Sequence, residues 1–85
     1  MAYDIRIKQS ALKALKKVDQ KARARIWTTI SGLADDPRPR GCVKLSNADD
    51  LWRLRIGDYR IVYHIREKQL VIVVVKIGHR RDVYK

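Results

Sequence analysis

Residues 51–77, LWRLRIGDYRIVYHIREKQLVIVVVKI, decide the fold of this chain. Apolar and charged residues alternate with period two on both sides of Gly57-Asp58, which predicts two antiparallel strands joined by a two-residue turn. The predicted pairs are Ile56 with Tyr59, Arg55 with Arg60, Leu54 with Ile61, Arg53 with Val62 and Trp52 with Tyr63. One face of this hairpin is then apolar, and the other carries Arg53, Arg55 and Arg60. Like charges directly across a sheet destabilise it, so the Arg55–Arg60 pair indicates a polyanionic partner that relieves the repulsion.

The stretch that follows the hairpin, from Leu70 to Ile77, is apolar on both of its faces. Strands of this kind are covered on both sides or lie in the middle of a sheet, so we predict a central strand. The last eight residues, GHRRDVYK, are too few for a core helix and are expected to lie on the sheet. The apolar face of the sheet needs a cover, which the first half of the chain has to supply.

The first half of the chain predicts one strand and two helices. Residues 3–8 alternate apolar and charged side chains, the period of a half-buried strand. Ser10 is a suitable N-cap for a first helix, whose apolar stripe is Leu12, Leu15 and Val18. Asp19 is a suitable N-cap for a second helix that runs to about residue 34. The apolar face of the second helix carries Ala22, Ile26, Ile30 and Leu33, with Trp27 beside them.

Together these elements predict a single α+β domain over residues 1–85, in the order β-α-α-β-β-β. Two helices pack on one face of a mainly antiparallel four-stranded sheet, because their apolar stripes match its uncovered apolar face. Residues 35–50, DDPRPRGCVKLSNADD, contain two prolines and a glycine without a sustained period, which is typical of a connecting loop. The arginine side of the sheet stays open.

The charge of the chain indicates what it binds rather than how it folds. Lys and Arg total 20 against 9 Asp and Glu, a formal net charge of +11. We therefore expect an anionic partner, and a phosphate backbone, an anionic membrane or an acidic protein each fits the charge alone. The lone Cys42 cannot form an internal disulfide, and no Cys/His cluster has zinc-ligand spacing, so we expect no metal and no other cofactor. We expect a cytoplasmic protein, because the sequence has no apolar signal region or membrane span.

Four segments of the chain carry a resemblance to a known family: KL at 44–45, LWRLRIGDYRIVY at 51–63, VVVKIG at 73–78 and GHRRDVY at 78–84. Together with the order of the elements, they resemble the RelE branch of the RelE/ParE toxin superfamily, and the resemblance covers the whole chain. The RxRxGxYRxxY core with the terminal GHRxxxY is more specific than any single motif. The resemblance implies a toxin of a type II toxin–antitoxin system that cleaves messenger RNA in the ribosomal A site.

The same resemblance implies which residues form the site. Basic positions on the first hairpin strand of the family match Arg53 and Arg55, and the arginine of its Tyr-Arg step matches Arg60. The arginine and the closing aromatic residue of its tail match Arg80 and Tyr84. These five are the predicted catalytic residues. The predicted substrate-binding residues are Lys44, His79 and Arg81.

Metal-independent RNA cleavage, in which the 2′-hydroxyl attacks the adjacent phosphorus, sets the chemistry that this site must perform. One proton must be accepted, negative charge must be stabilised, and the departing 5′-oxygen must be protonated. Clustered arginines suit the second task, but arginine is effectively always protonated and transfers protons poorly. The candidates for proton transfer are His79, Tyr84 and His64. The reference pKa, about 6.5 for His against about 10 for Tyr, favours His79, whereas the family precedent favours Tyr84. His64 ranks lower because it lies towards the far end of the hairpin from the paired arginines.

Two other functions are open at this point. The ParE branch of the same fold inhibits DNA gyrase by binding and has no nuclease chemistry, although the arginines, Lys44 and Tyr84 argue against that branch. A passive RNA-binding module needs the charge but no proton donor near the arginines. The expected partners are a cognate antitoxin, the ribosome and messenger RNA, with no membrane and no small-molecule cofactor.

Overall fold

The computed structural model describes residues 2–45 and 50–79. In chain order, its elements are β1 (Asp4–Ile7), α1 (Gln9–Lys16), α2 (Gln20–Gly32), β2 (Val43–Lys44), β3 (Leu51–Ile56), β4 (Tyr59–Arg66) and β5 (Val71–His79). The five strands form one sheet in the spatial order β1-β5-β4-β3-β2. β1 runs parallel to β5, and the other neighbouring strands are antiparallel.

The sheet has one strand more than the four predicted from the sequence. The additional strand is β2, which pairs with β3 through Val43–Arg53 and Lys44–Trp52 and lies within the predicted loop. Two residues are too few to show an alternating pattern, so this strand leaves no signal in the sequence. The predicted central position of the third meander strand is confirmed, because β5 lies between β1 and β4.

The β3–β4 hairpin has the predicted register. All five predicted pairs are present, and the pairing extends one step further, to Leu51 with His64. Gly57 has a φ of 59°, a left-handed conformation that glycine adopts without steric cost. Because this turn fixes the register, it also fixes which side chains lie on each face of the sheet.

The second helix begins as predicted. The carboxylate of Asp19, the N-cap residue of α2, accepts a hydrogen bond from the backbone N–H of Ala22 at 3.2 Å. This bond satisfies one of the N–H groups that the first turn of a helix leaves without an intrahelical partner. The helix ends at Gly32, two residues before the predicted end. No helix of the described residues is long and apolar enough to cross a membrane.

The prediction that Ser10 caps the first helix is wrong. α1 begins at Gln9, and Lys8 occupies the N-cap position without a side-chain cap. The sheet sets this start, because the backbone N–H of Lys8 still donates to the carbonyl oxygen of Val74 on β5 at 2.9 Å. The chain can turn into a helix only after that last strand hydrogen bond, and it does so at once.

The core lies between the two helices and one face of the sheet. The helices and the residues just after them contribute Ala11, Leu15, Val18, Ile26, Ile30 and Leu33, and the sheet contributes Leu54, Ile56, Ile61, Tyr63, Ile65, Ile72, Val74 and Ile77. Tyr63, on the predicted apolar face of the hairpin, is buried. In α1, Leu12 of the predicted apolar stripe is only partly buried, and its neighbour Ala11 is buried instead. Trp27 lies at the edge of the core with 41% of its surface exposed.

A β-bulge in β5 decides which face its last residues reach. Tyr63 pairs with Val74 and Val62 pairs with Lys76, so Val75 is an extra residue on β5. Val74 points into the core, and strict alternation would send Lys76 there as well. The bulge instead turns Lys76 to the opposite face. The next residue, Ile77, enters the core and is 4% exposed.

Candidate functional site

The side of the sheet opposite the helices carries the three arginines that the sequence predicts to share a face. The observed register places Arg53, Arg55 and Arg60 on this side, alternating with the core residues of β3 and β4. We call this side the arginine face. Its strands are held from behind by the core, so the backbone positions of the three arginines are fixed by the sheet rather than by a loop.

At the turn end of the hairpin, Arg55 and Arg60 lie directly opposite each other. On its other side Arg60 faces Gly78, which has no side chain. Arg60 is half-buried, with its Nε and Nη1 atoms shielded from solvent. Arg55 is exposed and donates from Nε to the carbonyl oxygen of Gly57 at 3.1 Å. A charge partly removed from water acts more strongly on a nearby anion, which makes Arg60 the stronger candidate of this pair for contacting an anion.

Val62 occupies the centre of the arginine face. Arg53 lies across from it on β3, and Lys76 lies across from it on β5. Although Val62 lies on the side away from the helices, it is only 7% exposed. The aliphatic stems of long basic side chains cover apolar surface of this kind while their charged ends stay in water. The face is therefore a small apolar centre surrounded by cationic groups.

Lys76 is a functional candidate that the sequence prediction missed. The prediction treated the third meander strand as apolar on both faces, and a bulge within a run of valines leaves no mark on the pattern. The available signal was that Lys76 is the only charged residue between Leu70 and Ile77. Its position beside Val62 adds a cation to the arginine face.

His64 also lies on this face, two residues along β4 from Val62, and it contacts a carboxylate. Its Nδ1 atom is 3.0 Å from Oδ1 of Asp50, and the two side chains are 27% and 40% exposed. The hydrogen bond from His64 is the main cause that lowers the pKa of Asp50 below its usual value of 3.8. Asp50 is therefore ionised at neutral pH. Since a carboxylate can only accept, Nδ1–H of His64 is the donor.

Two predicted substrate-binding residues lie on the other side of the sheet. Lys44 pairs with Trp52 and His79 pairs with Tyr59, and directly opposed residues share a face. The rings of Tyr59 and His79 make a T-shaped contact, with centroids 5.5 Å apart and planes at 81°. The structure therefore does not bring Lys44 or His79 together with the three arginines.

Tyr63 is not available for proton transfer. Its side chain is fully buried, and its hydroxyl donates a hydrogen bond to the carbonyl oxygen of Pro37 at 2.9 Å. Burial raises the pKa of Tyr63 well above its usual value of 10. The residue instead anchors the segment between α2 and β2 to the core.

Part of the sequence prediction falls outside the described residues. The predicted catalytic residues Arg80 and Tyr84 and the predicted substrate-binding residue Arg81 all follow residue 79, the last one described. Their roles stay predictions. Within residues 2–45 and 50–79, no group of three or more His, Cys, Asp and Glu side chains could hold a metal ion.

Comparisons with known proteins agree on one superfamily. Residues 5–84 match the family described as "ParE toxin of type II toxin-antitoxin system, parDE". An Escherichia coli protein described as a RelE-like toxin is 31% identical over 88 residues, covering 99% of this chain and 92% of that protein. The mRNA interferase toxin RelE of Escherichia coli K12 is 28% identical, with 99% and 92% covered. A chain of the archaeal RelE–RelB complex from Pyrococcus horikoshii OT3 superposes with a TM-score of 0.85 at 31% identity, covering 98% of this chain and 100% of that one.

The chain therefore belongs to the RelE/ParE superfamily of toxins from type II toxin–antitoxin systems. The resemblance inferred from the motifs is confirmed, and so is the predicted class of fold, two helices on one face of a small sheet. The superfamily contains both the RelE and the ParE branches, and the match to a ParE family stands beside relatives named RelE. Because one fold hosts different functions, the choice between the branches has to come from the site.

Proposed function

We propose that this protein is a RelE-type toxin that cleaves messenger RNA on the ribosome, without a metal ion, through attack of a 2′-hydroxyl on the adjacent phosphorus. The observation that carries this proposal is the arginine face, where Arg53, Arg55 and Arg60 project from two rigid strands with Arg60 partly withdrawn from water. Similarity over nearly the whole length to an mRNA interferase supports the same conclusion.

The arginines suit the charge that develops during cleavage. Attack of the 2′-oxygen converts the phosphodiester into a five-coordinate species with added negative charge, which preorganised cations stabilise more than they stabilise the ground state. In this proposal Arg60 contacts the reacting phosphate, and Arg53 and Arg55 hold it and its neighbour. The planar guanidinium forms two parallel hydrogen bonds to phosphate oxygens, which lysine cannot do. Arg80 and Tyr84 complete the proposed site from the segment after β5.

The ribosome supplies what a shallow site on a flat sheet lacks. In this proposal the arginine face, a strand surface in the part of the chain that the structure describes, contacts phosphates but does not by itself bend an RNA strand into the in-line geometry of attack. We propose that the decoding site presents the message in that geometry, so that the toxin needs only to add charge stabilisation and proton transfer. Naked RNA of the same sequence should therefore be cleaved far more slowly.

A cognate antitoxin is the second proposed partner. The RelE of Pyrococcus horikoshii was solved as a complex with RelB, and this chain has a formal net charge of +11. An acidic antitoxin segment laid across the arginine face would neutralise the charges that bind RNA. The repulsion between Arg55 and Arg60 makes binding of that segment more favourable, because an anion between the two guanidinium groups relieves the repulsion.

The alternative function is inhibition of DNA gyrase by binding, and the match to the family described as ParE favours it. A binding-only toxin has no need for partly buried cations on a rigid face, so the arginine face weighs towards the nuclease. The two functions differ in a direct measurement. Purified toxin is added to a reconstituted translation system, with naked message in parallel and a gyrase supercoiling assay alongside.

We expect fragments of the message only where ribosomes translate it, and unchanged gyrase activity. Intact message together with inhibited supercoiling would move the protein to the ParE branch. Intact message with active gyrase, combined with retention of RNA on the toxin, would support the passive RNA-binding module instead.

A further inference from the structure

The His64–Asp50 pair is a second element of the arginine face, and the arginines do not explain it. Asp50 precedes β3, and its carboxylate accepts from Nδ1 of His64 at 3.0 Å. A backbone bond already joins the same two segments, because the N–H of Ile65 donates to the carbonyl oxygen of Asp50 at 3.0 Å. The side-chain bond is therefore a second link between the start of β3 and β4. It also fixes the orientation and the tautomer of the imidazole ring.

We propose that His64 accepts the proton of the attacking 2′-hydroxyl, and that Asp50 is its positioning residue. This inference rests on the proposed nuclease function and assigns the proton acceptor that the arginines cannot provide. With Nδ1–H donated to Asp50, Nε2 is the ring nitrogen that carries the lone pair and can accept a proton. Among side chains, histidine is the usual general base, because its pKa lies near working pH.

The register brings His64 close to the cations of the face. Arg53 is across from Val62, and His64 is the next residue of β4 on the same face, so the Arg53–His64 pair is a diagonal one. Diagonal neighbours in an antiparallel pair lie about 7 Å apart, within reach of a long side chain. A phosphate held by Arg53 therefore lies close enough for the adjacent ribose to meet Nε2 of His64.

His79, the histidine favoured from the sequence, is placed less well for this role. Its ring packs against Tyr59 on the side of the sheet that faces the helices. His64 was ranked lower because of its distance from the Arg55–Arg60 pair. In the observed register, the arginine of β3 nearest to His64 is Arg53 rather than Arg55.

The proposed step is a transesterification at phosphorus. Nε2 of His64 takes the 2′-hydroxyl proton while the 2′-oxygen forms a bond to phosphorus, and the bond from phosphorus to the 5′-oxygen breaks. The leaving 5′-oxygen takes a proton from water, and the imidazolium returns its proton to solvent. The products are a 2′,3′-cyclic phosphate and a 5′-hydroxyl, with no oxidation or reduction.

Charged groups from several strands lie near His64. On β4 it has Arg66 two residues away, and on β5 it pairs with Val73, whose other neighbour is Arg6 of β1. Among the described residues, Asp50, Arg53 and Lys76 are also close to it in the register. Because a general base accepts a proton only in its neutral form, cleavage by the wild-type toxin should rise with pH on its acid side, and the His64→Gln toxin should lack that rise. Asp50→Asn should keep the rise but cleave more slowly, because its imidazole ring is less firmly oriented.

The test uses the complete toxin on translating ribosomes and compares the wild-type protein with His64→Ala, His64→Gln and Asp50→Asn. We expect His64→Ala to cleave at least about 100-fold more slowly, the size of a lost general base, and added imidazole to restore part of the rate. His64→Gln keeps an N–H donor for Asp50 but has no titratable nitrogen, so it should fold like the wild type and cleave as slowly as His64→Ala. Wild-type toxin with the same imidazole is the control.

Several results would overturn the inference. One is a His64→Gln toxin that cleaves at the wild-type rate with the same pH profile. Another is an Asp50→Asn toxin that cleaves at the wild-type rate. A rate loss in His64→Ala that imidazole leaves unchanged, with folding intact by circular dichroism, would also reject a base role. A wild-type toxin that cleaves nothing would instead refute the proposed function.

Discussion

Replacement of Arg60 by Ala tests whether the arginine face is a site or only a charged surface. Its consequence for stability follows from two opposing contributions. The like-charge pair with Arg55 costs about 0.2–1 kcal/mol, which the substitution removes. The substitution also deletes two methylene groups of a half-buried side chain, a loss of about 0.8 kcal/mol when half of each group is buried. The net change lies within about 1 kcal/mol of zero.

That balance corresponds to a small shift in melting temperature. At about 2.1 cal/mol/K of unfolding entropy per residue, a chain of this length shifts by about 6 °C for each kcal/mol. Activity should change far more, because removing one preorganised contact to a developing oxyanion costs about 10²–10³ in rate. Arg60→Ala should therefore melt within about 6 °C of the wild type and cleave messages on ribosomes at least about 100-fold more slowly.

Lys21→Ala is the matched control for this experiment. Lys21 is an exposed residue of α2, so its substitution removes the same unit of charge on the side of the sheet away from the arginine face. It should keep both the stability and the cleavage rate. Cleavage by Arg60→Ala within threefold of the wild-type rate would show that Arg60 does not act as a preorganised cation. Unfolding of this variant would show that the fold depends on Arg60.

Three further predictions concern the scaffold. Tyr63→Phe should lower stability by about 0.5–1.5 kcal/mol in urea titration, because it removes the hydrogen bond to the carbonyl oxygen of Pro37; an unchanged midpoint would contradict this. Asp50→Asn should weaken the fall of the unfolding free energy in acid. Because the pKa of Asp50 is lowered in the folded protein, its carboxylate contributes fully to stability above about pH 3.8, and this contribution is lost as pH falls through the folded-state pKa. The unfolding free energies of the variant and the wild type should therefore converge at the lowest pH. Deletion of Val75 should leave the protein folded by circular dichroism, since Lys76 would then follow Val74 directly and strict alternation would keep Lys76 on the arginine face and Ile77 in the core; a deletion variant that loses its fold would contradict this.

The hairpin shows how far the sequence predicts this structure. A two-residue turn at Gly57 leaves one register, and a period-two pattern leaves one choice of face, so the five predicted pairs and the shared face of the three arginines are confirmed. The Asp19 cap and the buried face of α2 follow equally local rules. These features depend on interactions within a few residues, or across one tight turn.

The features that the sequence did not predict depend instead on contacts between distant parts of the chain. The start of α1 depends on a hydrogen bond from Lys8 to β5, and β2 depends on an edge that β3 offers. The orientation of Lys76 depends on a bulge that the pairing of β4 with β5 creates. In each case the deciding partner lies far along the chain, so no local pattern records it.

The class of fold and the common face of Arg53, Arg55 and Arg60 follow from the sequence, because periodicity and turn chemistry are local properties of the chain, and the superfamily follows from the resemblance of its motifs. Which other groups join the three arginines depends on the tertiary structure. In the structure, His79 lies on the opposite side of the sheet against Tyr59, and Lys76 lies on the arginine face. The structure also shows that the carboxylate of Asp50 meets the ring of His64, because strand pairing across the hairpin brings together two side chains fourteen positions apart. Side chains from different strands become neighbours only when the sheet has formed, and its register sets their distances.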